Sequence, residues 1–119
     1  MATFTKSTLS NSTDGKAILV AATSTPGTLI HTGPTTTTTL HEVWLYAVNT
    51  SASNVKLTIE WGEATAPNGN IEFTVAAENG LYLIVPGLLL KGNATALTVK
   101  AFAATTNVIS IHGFVNQIA

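Results

Sequence analysis

The sequence predicts an all-β protein: a single β-sandwich of about eight strands, jelly-roll-like or immunoglobulin-like, with an extended N-terminal arm. Three observations carry that prediction. Thr occurs 21 times, and Thr and Val favour a pleated, half-buried surface, whereas the strong helix formers Glu, Lys, Gln and Arg are scarce. Apolar and polar residues alternate with a period of two, and no 11-residue stretch carries a convincing helical period. Turn signals separate the runs at spacings of about 8–12 residues, as in sandwiches and barrels.

Residues 1–16 are polar and rich in Thr and Ser, with Phe4 and Leu9 as isolated apolar residues. They read as an extended arm or edge strand ending in an Asp14-Gly15 turn. The sandwich domain is expected over residues 17–119. Residues 17–23 are a short apolar run that fits a buried strand. Pro26-Gly27 is a turn, Thr28–Thr32 a second short strand, and Gly33-Pro34 with Thr35–Thr39 a loop.

The clearest alternation follows. Over Leu40–Asn49, Val43, Leu45 and Ala47 share one face and Glu42, Trp44, Tyr46 and Val48 the other. In Val55–Trp61, Val55, Leu57, Ile59 and Trp61 oppose Lys56, Thr58 and Glu60. Ile71, Phe73 and Val75 alternate with Glu72 and Thr74. Leu81–Val85 is a strand that Pro86-Gly87 should interrupt before Leu88–Leu90 resumes it at an edge. Leu97, Val99 and Ala101 alternate with Thr98, Lys100 and Phe102. The last strand, Val108–Val115, turns Ile109, Ile111, Gly113 and Val115 inward and leaves Phe114 outside.

Charge and composition exclude several functions. Charged residues make up 9% of the chain, against about 25% in ordinary domains. The net charge is -1 and no arginine is present, which argues against nucleic-acid binding by phosphate neutralisation. Without cysteine there are no disulfides, thiolate metal sites or thiol nucleophiles. The longest apolar run, Leu81–Leu90, is half the ~20 residues a membrane helix needs, and Pro86-Gly87 breaks it. Lys6 is followed by polar residues, so no signal peptide is expected, and the three Asn-x-Ser/Thr matches at Asn11, Asn49 and Asn93 read as chance. Mean hydropathy is nonetheless +0.35, high for a free monomer. A surface covered by partner chains accounts for it.

No residue pattern specifies catalysis, and no cofactor is implied. His31, His41 and His112 lack metal-motif spacing, and His41 and Glu42, being adjacent on a strand, point to opposite faces. If His41 or His112 lies at a subunit contact, acid should weaken that contact. The glutamates fall on polar strand faces or in loops, with no pairing across a cleft. There is no G-x-S-x-G, and the one Asp, Asp14, lies in a turn. Among the aromatics, Trp61 shares the face of Val55, Leu57 and Ile59 and reads as core. Trp44 and Tyr46 lie beside Glu42, on a face that is either exposed or an interface.

The segments HEVWLYAVNTSASNVKLTIEWG, NGLYLIVPGLLLKG and VISIHGFVNQI lie within Leu40–Ile118. In strand-and-turn pattern this stretch resembles small virion proteins of tailed phages, in particular capsid decoration (cement) proteins. The resemblance covers about two thirds of the chain and includes no catalytic motif. It implies a β-sandwich on the capsid surface of a virion, commonly a homotrimer, bound across neighbouring copies of a major capsid protein and contributing a terminal arm. On that expectation Phe4 and Leu9 are the arm's anchors, and Trp44, Tyr46, Phe102 and Phe114 are candidates for contact between subunits. The alternative is a tail-fibre or receptor-binding module that recognises a host glycan through Trp44, Tyr46 and the Thr35–Thr39 loop.

Overall fold

The computed structural model describes residues 2–119 and contains nine strands and no helix among them. In chain order they are β1 (Phe4–Thr8), β2 (Ile18–Leu19), β3 (Thr28–Thr32), β4 (Leu40–Asn49), β5 (Val55–Trp61), β6 (Asn70–Val75), β7 (Tyr82–Lys91), β8 (Thr98–Ala103) and β9 (Ile109–Ile118). One sheet runs β1-β9-β4-β7, with β2 also paired to β9, and the other runs β3-β8-β5-β6. Every pairing is antiparallel. The pairs are nested: β5 with β6, β4 with β7, β3 with β8, and β1 with β9. They fall alternately in the two sheets, so the chain wraps as a folded ribbon. That is jelly-roll order, not the ABED/CFG order of immunoglobulin domains.

The alternating residues build the core as their spacing requires. Val43, Leu45 and Ala47 of β4, Leu57 and Ile59 of β5, Val99 and Ala101 of β8, and Ile109, Ile111 and Val115 of β9 are all 1% exposed or less. Trp61 packs against this cluster at its margin. The Asp14-Gly15 turn forms with both residues at positive φ (55° and 84°), a conformation that Gly, and next to it Asp or Asn, tolerates best.

Four segments depart from the expectation. The run 17–23 pairs with β9 only over Ile18–Leu19, followed by one further bond from Val20 N to Ile109 O. Beyond it the chain crosses to the other sheet, where Ala22 O accepts from Ala103 N. Pro86-Gly87 does not divide β7. This strand is a sheet edge, so Pro86 needs no donor on its open side, and register shifts at Val43/Trp44 and Leu45/Tyr46 absorb the misfit.

The residues expected as an arm are tied to the sandwich. Phe4–Thr8 pairs with β9 over five residues, and Thr3 and Ala119 exchange backbone bonds in both directions. Leu9 is not a free anchor: it is 1% exposed and belongs to the core, because the chain dives inward after β1. Finally, Glu60 is not solvated. It is 2% exposed, roofed by residues 25–27, and accepts from Thr25 Oγ1 (2.5 Å) and Gly27 N (2.7 Å).

Candidate functional site

Three of the four subunit-contact candidates meet on one surface. Residues Glu42, Trp44 and Tyr46 of β4 stand opposite Asn116, Phe114 and His112 of β9 on the outer face of their sheet. Directly opposed aromatic residues come within stacking range. The Trp44 and Phe114 rings stack with centroids 5.8 Å apart and planes 9° from parallel. Lys6 Nζ of β1 lies 4.9 Å from the Phe114 centroid. On the β7 side Trp44 lies against Gly87, whose φ is +75° and where a Cβ would stand 2.8 Å from the indole. A side chain there would be strained by the backbone and would displace the ring.

Polar contacts fix the indole. Trp44 Nε1 donates to Glu42 Oε1 at 2.7 Å, and Asn116 Nδ2 donates to the same oxygen at 2.9 Å. Those two bonds, Trp44's first, hold the Glu42 carboxyl below its usual range, since both favour the charged form. Exposed apolar side chains flank this ladder. Phe4 (71% exposed) occupies the same outer face on β1, and Leu83 (44%), Leu88 (42%) and Leu89 (50%) lie along the β7 edge.

Phe102 is not part of that surface. It lies on the outer face of the opposite sheet, where it opposes Thr58 and lines a shallow pocket of about 230 Å³ with Thr23, Lys56, Glu72 and Ala104. The Lys56–Glu72 ion pair (2.9 Å) edges this pocket, with both side chains about half exposed. Tyr82 packs on Phe73 with centroids 5.9 Å apart. The Thr35–Thr39 loop caps the start of β4 and is held by bonds from Thr39 N to Thr36 O and from Gly92 N to Thr39 O. Trp44 is five residues further along the strand, about 16 Å away at the usual rise.

The histidines hold what spacing could not reveal. His31 of β3 and His41 of β4 belong to different sheets but meet between them, with His31 Nε2 2.8 Å from His41 Nδ1. The Ser10 backbone N–H donates to His31 Nδ1 at 3.0 Å, and His41 Nε2 lies 3.2 Å from Gln117 Oε1. His31 is 2% exposed. Burial, and after it the neighbouring His41, lowers its pKa to about 4. Among the described residues no third His, Asp or Glu joins the pair in a metal-binding group.

Parity alone places His41 inward, two residues before Val43. His31 was not legible in this way, because a register shift between Leu29 and His31 turns both Ile30 and His31 into the interior. The Asn49 sequon is also structural: Asn49 is 1% exposed and donates to Ser53 O and Val75 O. No protein-family model, curated protein or solved structure matches the chain.

Proposed function

We propose that this protein is a structural component of a virion, a decoration protein that binds across neighbouring major-capsid subunits and stabilises the shell, and that it does so as a homotrimer. The observation that carries the reading is the outer face of the β1-β9-β4-β7 sheet. It brings together the Trp44–Phe114 stack, Tyr46, Phe4, Leu83 and Leu89. Isolated exposed apolar residues are ordinary, but a face with stacked aromatics at its centre and exposed apolar side chains around them has the composition of an interface. A protein that binds only the assembled shell stabilises it by mass action, without any catalytic group. Jelly rolls include both viral capsid and lectin domains, which is an analogy of fold only.

Shells stripped of the protein test this. They should lose resistance to heat and osmotic shock and regain it when the protein is added back. Trp44→Ala with Phe114→Ala should abolish co-sedimentation with shells, whereas Phe102→Ala, on the other sheet, should leave it intact. Shells equally robust with and without the chain would remove the proposal. A second reading is host-glycan recognition, favoured by the half-buried Trp44 beside the carboxylate of Glu42 and the amide of Asn116. It requires a glycan-array signal that Trp44→Ala erases.

A further inference from the structure

We propose that the hydrogen-bonded series Ser10–His31–His41–Gln117 is an acid-sensitive latch, which holds the N-terminal strand on the sandwich and releases it when His31 gains a proton. The inference rests on the interior of the chain itself and stands whether or not the virion reading does.

The tautomers follow from one fixed donor. A backbone N–H can only donate, so the bond from Ser10 N requires a bare Nδ1 on His31. The single hydrogen of a neutral His31 ring is then on Nε2, where it donates to His41 Nδ1. The hydrogen of His41 is in turn on Nε2, directed at Gln117 Oε1. Each donor meets an acceptor in one arrangement only, with both rings neutral. A proton on His31 Nδ1 sets two donors against each other, and Ser10 cannot reverse its role.

Nothing nearby receives the charge. His31 is 2% exposed, and the titratable group facing it is another imidazole. The charged and titratable residues of the surrounding strands lie on outer faces: Lys6 on β1, Glu42 on β4, Lys100 on β8, and His112 on β9. Lys91, at the end of β7, and Asp14 and Lys16, in the turn after Ser12, are exposed. Burial accordingly holds the His31 pKa near 4 while the latch is closed.

Relief comes from moving Ser10. Its segment is attached through Thr32 N to Ser10 Oγ (2.6 Å), Asn11 Nδ2 to Leu29 O (2.7 Å) and Asn11 N to Ile30 O (3.3 Å). The adjoining Leu9 fills the core, but every residue of β1 is exposed and pairs along one edge only. Opening at Ser10 therefore frees Leu9 and β1 together and uncovers the edge of β9.

Amide hydrogen exchange on the intact chain, corrected for intrinsic rates, reads the latch. At pH 7.5 the His31 nitrogen shifts should report the Nε2–H tautomer. Between pH 6.5 and 4, protection of Ser10, Thr32 and the β1 amides should fall by about 80-fold relative to β5, the ratio set by a pKa of about 4 closed and 6.5 open. His31→Gln can accept from Ser10 and donate to His41 without titrating, so its β1 protection should stay level over that range. The proposal is overturned if β1 opens equally in His31→Gln. It is also overturned if wild-type His31 binds its proton near pH 6.5 while Ser10 stays protected, a titration that decides the matter even if the variant does not fold.

Discussion

Leu9 sits in the core with 1% of its surface exposed, next to a strand in which every residue is solvent-exposed. Its side chain is the apolar plug through which the N-terminal segment joins the interior. Leu9→Ala should therefore cost about 2–5 kcal/mol in urea unfolding, as buried leucine truncations do, while Phe4→Ala, at 71% exposure, should change stability by less than about 0.5 kcal/mol. Equal effects from the two variants would refute the placement of Leu9. His31 adds a pH dependence of definite sign. Its folded pKa of about 4 lies below the usual 6.5, so the unfolded chain binds more protons between those values. Stability is then whole above pH 6.5, declines as the pH falls toward 4, and levels off below. Full development of this difference corresponds to at most about 3 kcal/mol. Urea midpoints for wild type and His31→Gln should diverge across that window and run parallel outside it. Neither residue announces its role locally. Leu9 is a lone leucine between Thr8 and Ser10, without periodic neighbours, and its burial depends on a turn inward that no local pattern encodes.

At the level of elements, what could be read from the sequence follows from what creates period-two patterning. Strands β4, β5, β8 and β9 have one face on the core and the other outward, so their alternation is written directly in the residues. β2 is shorter than its apolar run because Val20 and Ala22 bond to different sheets, a crossover that depends on tertiary geometry. β7 runs through Pro86 because it is an edge, and edge status is fixed by strand order, which one sequence does not reveal. The outer face of β5 misleads in a similar way. Thr58 and Glu60 hold polar positions in the alternation yet are 2% exposed, and for Glu60 the cover is a loop folded over the sheet. Removing residues 2–12 takes away β1, its pairing with β9, and Leu9. The truncated chain should unfold at a urea midpoint clearly below that of the full chain. An unchanged midpoint would mean that the N-terminal strand is an ornament rather than part of the sandwich.

At the scale of the whole molecule, 9% charged residues and a net charge of -1 coincide with six large hydrophobic side chains exposed among the described residues. Four of these, Leu81, Leu83, Leu88 and Leu89, lie in or beside one edge strand. Covering such half-exposed leucines contributes about 1 kcal/mol each, so several together offset a large part of the entropy lost on association. Long-range charge repulsion is too weak here to oppose contact, and added salt has little to screen. The chain should therefore associate with copies of itself at micromolar concentration. Sedimentation velocity should show a mass above the 12.3 kDa of one chain, rising with concentration and persisting in high salt. Replacing Leu83 and Leu89 with Lys should return the molecule to a single copy, because a buried unpaired ammonium is costly in any packed interface. Each lysine would stand on a surface already open to water, so the fold itself should lose little. If the unmodified chain sediments as one copy at every concentration, the apolar face is not a self-association surface. Shell binding would then have to proceed from the monomer, and the trimeric part of the proposed function would fail while the shell-binding part remained to be judged by its own experiment.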